Sequence, residues 1–348
     1  MTRPHVIARE TFRALARGRG GAGAVAVLRA GQLSKRRLLL GAVRRAAEER
    51  RPRAAREADL AGTYEELERL RRHSRARWEA ALLQPYVDLW AAECLRRLDA
   101  DPDADGGGGG GEEPWLGGLA ELLGAPGHRV TLEAAGLRLT LRIDDRGPYR
   151  EAHGEPVPGP LGPGELRCWE EALGAAWRVL AHRHPWYAQA VAAGLTTLVP
   201  LRPRPDGTGV SSAVRRGYGA VGLSLPPDPE RLALALVHEF LHVQLGALLD
   251  LVPLHGPDSG ARYHAPWRPD PRPAGALLQG TYAHLGVSDF WRVERGPYAR
   301  EQYAHWRERT LEAAGTLLDC GELTADGREF VAELRREIAG WGGGAAPV

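Results

Sequence analysis

Lysine is almost missing from this chain. Lys35 is the single lysine among 46 basic residues, and all the others are arginine. Beside 44 glycines and 26 prolines, that bias reads as a coding preference rather than a binding device. Charge of one sign is lacking too. Acids number 44 against those 46 bases, for a formal charge of +2, so no field strong enough to gather nucleic acid or a membrane surface is expected. Cysteine is scarce: Cys94, Cys168 and Cys320 lie far apart and form no C-x-x-C pair. That argues against a zinc ribbon, an iron–sulfur motif or a disulfide scaffold, and makes a reducing cytoplasm the simplest compartment. No apolar run is expected to cross a bilayer. Residues 22–28 are short, stop at Arg29 and have no cleavage-site pattern, so no signal peptide is expected. The rest, 43% hydrophobic and 26% charged, is ordinary for a folded protein, with length for two domains or one large one with an appendage.

One segment carries chemistry: Val237-His238-Glu239-Phe240-Leu241-His242, an H-E-x-x-H. Asp228 suits an N-cap, Pro229 a first helical residue and Glu230 the positive end of a helix. Leu232, Leu236, Leu241 and Leu245 put apolar contact around most of the cylinder, so a buried helix is predicted over 229–250. Residues four apart lie one above the other on a helix. His238 and His242 can therefore share one metal ion with Glu239 beside it. Two core histidines and a paired glutamate are the plainer alternative, but burying them among leucines is costly without partners. Residues 219–225 predict a strand feeding this helix.

Two histidines need at least one more ligand. The motif does not extend to H-E-x-x-H-x-x-G-x-x-H, because Leu245 and Leu248 stand at the glycine and histidine positions. His255, His264, His284, Asp250, Asp258, Asp289 and Glu294 are the candidates. His284 is preferred. It lies on a predicted helix over 274–293, four residues after Gly280, where a glycine allows another backbone to approach closely.

The expected fold is α+β and mostly helical. Residues 1–98 form a helical part, 99–114 a glycine- and aspartate-rich linker, and 115–348 a catalytic part with the metal helix and a small sheet. Within the first part, a helix over 34–49 buries Leu38, Leu39, Leu40 and Val43. Thr63-Tyr64-Glu65-Glu66 reads as a capping box. Gly18-Arg19-Gly20-Gly21-Ala22-Gly23 fits G-x-G-x-x-G, yet no strand precedes it, so it reads as a turn. The glycine run 106–111 cannot bury enough surface to fold. A short helix near 116–123 precedes a hairpin over 130–143 turning at Ala135-Gly136. Residues 144–163 read as loop. Helices follow over 165–193, broken near Pro185, with Trp169 and Trp177 in the core and His182 and His184 at the surface or capping. No internal repeat is found.

His238-Glu239-Phe240-Leu241-His242, then 247–254, Tyr263 to Pro273 and Leu278-Gln279-Gly280-Thr281-Tyr282-Ala283-His284-Leu285 resemble the HEXXH-motif peptide-modification proteins. These accompany ribosomally synthesised peptides, and some are fused to a radical SAM peptide maturase. The resemblance covers roughly 210–292, and more loosely 32–40. It implies an iron(II)- and 2-oxoglutarate-dependent peptide β-hydroxylase. The implied partners are a precursor peptide and a radical SAM maturase of the same pathway. No C-x-x-x-C-x-x-C is present, so a stand-alone form is expected. Such chemistry needs three protein ligands on one face of the metal, which His238, His242 and His284 or a carboxylate can supply. It also needs an arginine for the distal carboxylate of the co-substrate. Arg268 is preferred, with Arg272 and Arg262 as alternatives. Glu239 would orient a water, a ligand or the substrate. Two other readings stand beside this one. A zinc metallopeptidase would use Glu239 as general base. A non-catalytic peptide-binding module would hold a structural metal.

Overall fold

The computed structural model describes residues 5–100, 114–226 and 228–342. Among them the chain builds thirteen α-helices and one five-stranded mixed sheet, a mostly helical α+β protein as expected. The order begins α1 (Arg9–Ala16), α2 (Gly21–Arg50), α3 (Pro52–Glu57), α4 (Leu60–His73), α5 (Arg75–Leu82) and α6 (Val87–Asp99). Then come α7 (Gly118–Gly124), β1 (His128–Ala134), β2 (Leu137–Ile143), α8 (Pro163–Arg183) and α9 (Pro185–Gly194). After these follow β3 (Thr197–Pro200), β4 (Ser211–Ser212), β5 (Ala220–Leu223) and α10 (Pro229–Leu249). The chain closes with α11 (Ala274–Val293), α12 (Pro297–Asp319) and α13 (Ala325–Gly340).

The glycine-rich segment is a turn only as far as Gly20. Gly18 and Gly20 have φ of 67° and 106°, and α2 starts at once behind them, well before residue 34. Leu40 and Val43 are buried on α2 as expected, Leu39 is half-buried, but Leu38 is 73% exposed. Neighbours two apart on a helix point in nearly opposite directions, so Leu38 and Leu40 cannot both face inward. The expected capping box does not start a helix either. Asp59 caps α4, accepting from the Gly62 N–H at 3.2 Å, and Thr63 instead donates to the Asp59 carbonyl.

Helix α2 runs along both halves of the protein, packing on α6, α9 and α10. Two hydrophobic cores result, and they do not divide at residue 98. Phe12, Leu15, Val25 and Leu28 share one core with Phe240 and Leu285. Leu40, Val43 and Trp90 share the other with Leu119, Val199 and Ala220. Most of the expected linker, 101–113, lies outside the described residues.

The hairpin forms as its alternation predicts. Ala135 and Gly136 take φ of 49° and 73°, the paired left-handed residues of a two-residue turn. Val130, Leu139, Leu141 and Ile143 turn inward. The sheet runs β1-β2-β3-β5-β4, with β2, β3 and β5 parallel and the two edge strands antiparallel to their neighbours. The segment expected to be loop holds one short 3₁₀ turn, Arg150–His153, which buries His153. Helices α8 and α9 cover the hairpin side of the sheet and break at Pro185. His184 at that break is fully buried rather than at the surface. Its ring stacks on Phe290 at 4.2 Å, and its Nε2 meets Glu294 at 2.8 Å. A carboxylate partner supplied by a distant helix is what makes that burial tolerable.

Helix α10 is long and apolar enough by composition to cross a membrane, contrary to the expectation that no segment would be. It is mostly buried, packed by α2, α8 and α11.

Candidate functional site

The two helices that sequence pattern marks out, α10 and α11, pack directly on each other. His238 and His242 of α10 and His284 of α11 meet at that contact. The His238 ring centroid lies 4.9 Å from that of His242 and 5.1 Å from that of His284. Two imidazoles bound to one ion at about 2.1 Å place their centroids roughly 4.6–5.3 Å apart for angles between a right angle and the tetrahedral one. These two spacings each fit a shared metal, but among the described residues no group of three His, Cys, Asp or Glu side chains is placed to hold a metal ion.

Hydrogen bonds around the rings fit ligation too. His284 Nδ1 meets the Gly280 carbonyl at 2.8 Å and His242 Nδ1 meets Gln279 Oε1 at 3.2 Å. A ring nitrogen facing a carbonyl oxygen carries the proton, which leaves Nε2 of each ring as the lone-pair donor. Charge agrees with this. Burial, with His242 and His284 nearby, holds His238 well below the usual imidazole range. Burial lowers His242 against its bond to Gln279, and brings His284 down to about 4 against its bond to Gly280. All three are neutral near pH 7, the form that binds a metal.

Two tryptophans hold the third ring. His284 stacks on Trp267 at 4.3 Å and lies 4.8 Å from Trp306. Gly280 is a glycine because a Cβ there would collide with the Trp267 indole. A close approach does occur at Gly280, as expected, but by a side chain rather than a backbone.

The other third-ligand candidates are occupied elsewhere. Asp250 accepts from Gln32, Lys35 and Arg215, and Asp258 from Arg262. Asp289 accepts from Arg19, Arg292 and Tyr187, and Glu294 pairs with Arg183 and His184. His264 is 65% exposed beside Glu312. His255 does line the same cleft, with Nδ1 turned to the Gly256 carbonyl at 2.6 Å.

Glu239 is 3% exposed, and Ser211 Oγ donates to it at 2.6 Å. Burial pushes its carboxyl up to about 7 against that bond. Its Oε1 lies 3.9 Å from His238 Nε2.

The three histidines open onto a cleft of about 570 Å³. Arg215, Arg268 and Arg272 stand in its wall, and no described carboxylate does. The expected arginines separate clearly. Arg262 is outside the wall, 2.9 Å from Asp258. Arg268 is in the wall but 41% exposed and tied to Asp270 at 2.7 Å. Arg272 is half-buried, and among the described residues nothing pairs with its guanidinium. The geometry favours Arg272 over Arg268. Ser211, Arg215, Gln279 and the two tryptophans were not marked by sequence. Only Gln279, in the turn before His284 on a helix already singled out, offered a local signal.

No family model and no curated protein matches the chain. The site itself is what supports a functional reading.

Proposed function

We propose that the protein is an iron(II)- and 2-oxoglutarate-dependent oxygenase that hydroxylates a β-carbon in a ribosomally synthesised precursor peptide. The observation that carries this is one cleft lined by three neutral histidines, His242 and His284 each close to His238, and by an unpaired, half-buried Arg272, with no carboxylate in the described wall. His238, His242 and His284 would hold the metal through nitrogen, leaving room for a small chelating acid. Iron held there would supply the redox chemistry. The balance is peptide C–H, dioxygen and 2-oxoglutarate in; peptide C–OH, succinate and carbon dioxide out.

The chain's own residues do the positioning. Arg272 pairs with the far carboxylate of the co-substrate through two parallel N–H bonds. Trp267 closes the cleft against water on the His284 side and keeps that ring from turning. Glu239, held by Ser211, steadies β4 against α10 beside His238.

A second reading has one observation in its favour. A carboxyl that titrates at about 7 near His238 is suited to take a proton from water, as a zinc peptidase requires. The bond from Ser211 and the absence of Glu239 from the cleft wall weigh against it. The test is anaerobic loading with iron(II), followed by oxygen, 2-oxoglutarate and precursor peptide. Succinate and a peptide heavier by one oxygen atom are expected. Cleavage by zinc-loaded protein without co-substrate would establish the peptidase. Metal-dependent folding with no turnover would leave a structural metal.

A further inference from the structure

Strand β4 ends the sheet on one side, and its pairing fixes which way its main chain faces. The Leu223 carbonyl accepts from Leu201 N at 2.8 Å, so Leu223 turns its main chain away from β4. On the other strand, Ser224 N donates to Val210 O at 2.9 Å. Ser211, the antiparallel partner of Leu223, therefore sits in a non-hydrogen-bonded pair. Its N–H and C=O point out of the sheet, and no described main-chain group meets them there. The neighbouring side chains secure the strand from above and below. Ser211 Oγ bonds Glu239 on α10, and Ser212 Oγ bonds His153 at 2.7 Å.

This outward edge lies between two cavities. Ala213, Val214 and Arg215 continue from it into the wall of the histidine cleft. Gly209, Val210 and Ser211 line a second cavity of about 560 Å³. Both cavities also share α10. Ala235 lines the second and His238 the first, three residues or about 4.5 Å apart along the axis. The second cavity has an apolar lip of Pro203, Pro226 and Leu225, the last 36% exposed, and its charged groups are Arg231 and Asp206, the latter already accepting from the Thr208 N–H at 2.8 Å. Nothing described pairs with the Arg231 guanidinium.

We infer that β4 is a docking strand for the substrate polypeptide, and this rests on the proposed peptide-modifying activity. An extended segment exchanges N–H and C=O bonds with Ser211, adding a strand to the open edge. One of its residues enters the histidine cleft. A neighbouring apolar side chain fills the second cavity, next to an acidic residue that pairs with Arg231. Two cavities at either end of one short strand, an unfilled main-chain pair between them and an unpaired guanidinium in each wall specify that occupant.

The probe is a positional-scanning library of fluorescein-labelled octapeptides, read by fluorescence anisotropy with zinc-loaded protein and no co-substrate. Sub-libraries pairing Leu, Val or Phe with a neighbouring Asp or Glu should bind tightest. Ser211→Pro removes the outward N–H and leaves the ladder to β5 intact. It should weaken the best sub-library by about tenfold, the worth of one such bond, while Ser211→Ala stays within about threefold of the parent. N-methylation of alternate peptide amides should cause the same loss on the unaltered protein, independently of any folding defect. Arg231→Glu should reverse the preference for acid. Binding that ignores both Ser211→Pro and N-methylation overturns the docking strand, as does a wild-type protein that binds no sub-library. So does a dimer in sedimentation that Ser211→Pro converts to monomer without changing peptide affinity. Edge-dependent binding with no succinate formed from 2-oxoglutarate by iron-loaded protein in the presence of any bound peptide would uphold the docking strand and defeat the oxygenase reading.

Discussion

Asp289 and His284 lie five residues apart on one helix and teach opposite lessons. Asp289 is fully buried and answered from three sides by Arg19, Arg292 and Tyr187. Burial alone would raise its carboxyl, but the two guanidiniums hold it below the usual range. Both carboxylate oxygens have partners, and the cluster ties the turn between α1 and α2 to α9 and α11. His284 is also buried, but its Nε2 has no protein partner, and across the cleft Arg272 has none either. Buried atoms such as Trp186 Nε1 and Trp291 Nε1 also lack a partner, but His284 lines an open cleft, where a ligand can answer its free nitrogen.

That contrast can be broken by substitution, and the largest effect belongs to the open cluster. His238→Ala and His242→Ala should each abolish metal uptake while the protein stays folded. Metal content by plasma emission together with circular dichroism decides it; full occupancy in either variant would remove the site. Asp289→Ala should do the reverse. It strands two cations and should lower unfolding free energy by about 3–5 kcal/mol in a denaturant titration, with metal uptake unchanged in the folded fraction.

Glu239 sharpens the comparison through pH. Its folded pKa of about 7 lies above its ordinary 4.5, so the folded state binds the extra proton. Its contribution to stability is complete below the unfolded value and is lost as pH rises towards 7. Glu239→Gln keeps an acceptor for Ser211 and removes the charge. It should therefore stabilise the metal-free protein at pH 8 by up to about 3 kcal/mol and flatten stability between pH 5 and 8. Denaturation midpoints across that range are the measurement, and a wild-type curve already flat there would contradict it.

The smallest effect tests the two arginines against each other. Arg272→Ala should raise the half-saturating 2-oxoglutarate concentration about 30-fold, near 2 kcal/mol, while Arg268→Ala changes it about threefold or less. The opposite order would restore Arg268.

Local pattern made much of this legible. Helix α10 was readable from Asp228, Pro229 and its leucines, the hairpin from strict alternation, and His284 from its spacing to Gly280. What escaped depends on residues far apart in the chain. Nothing near Asp289 announces Arg19, and nothing near Glu294 announces His184, so carboxylates already paired passed for free ligands. The start of α2 was hidden because glycine is a poor helix former, and tertiary packing overrode that preference. The choice among Arg262, Arg268 and Arg272 turned on Asp258 and Asp270, whose pairing no periodicity reports.

The scarcity of lysine has a practical consequence. Lys35 bridges Asp88 and Asp250, so it joins α2 to α6 and to the C-terminal end of α10, and its side chain is 28% exposed. An acylating reagent therefore meets a single side-chain amine, one that is nucleophilic only when it leaves both carboxylates and loses its proton. The rate at which Lys35 is acetylated then becomes a clock for local opening at that end of α10. Ordinary amine-directed fluorophores and crosslinkers would label the folded protein poorly at side chains, and wherever they succeeded they would cut the very tie they were meant to report.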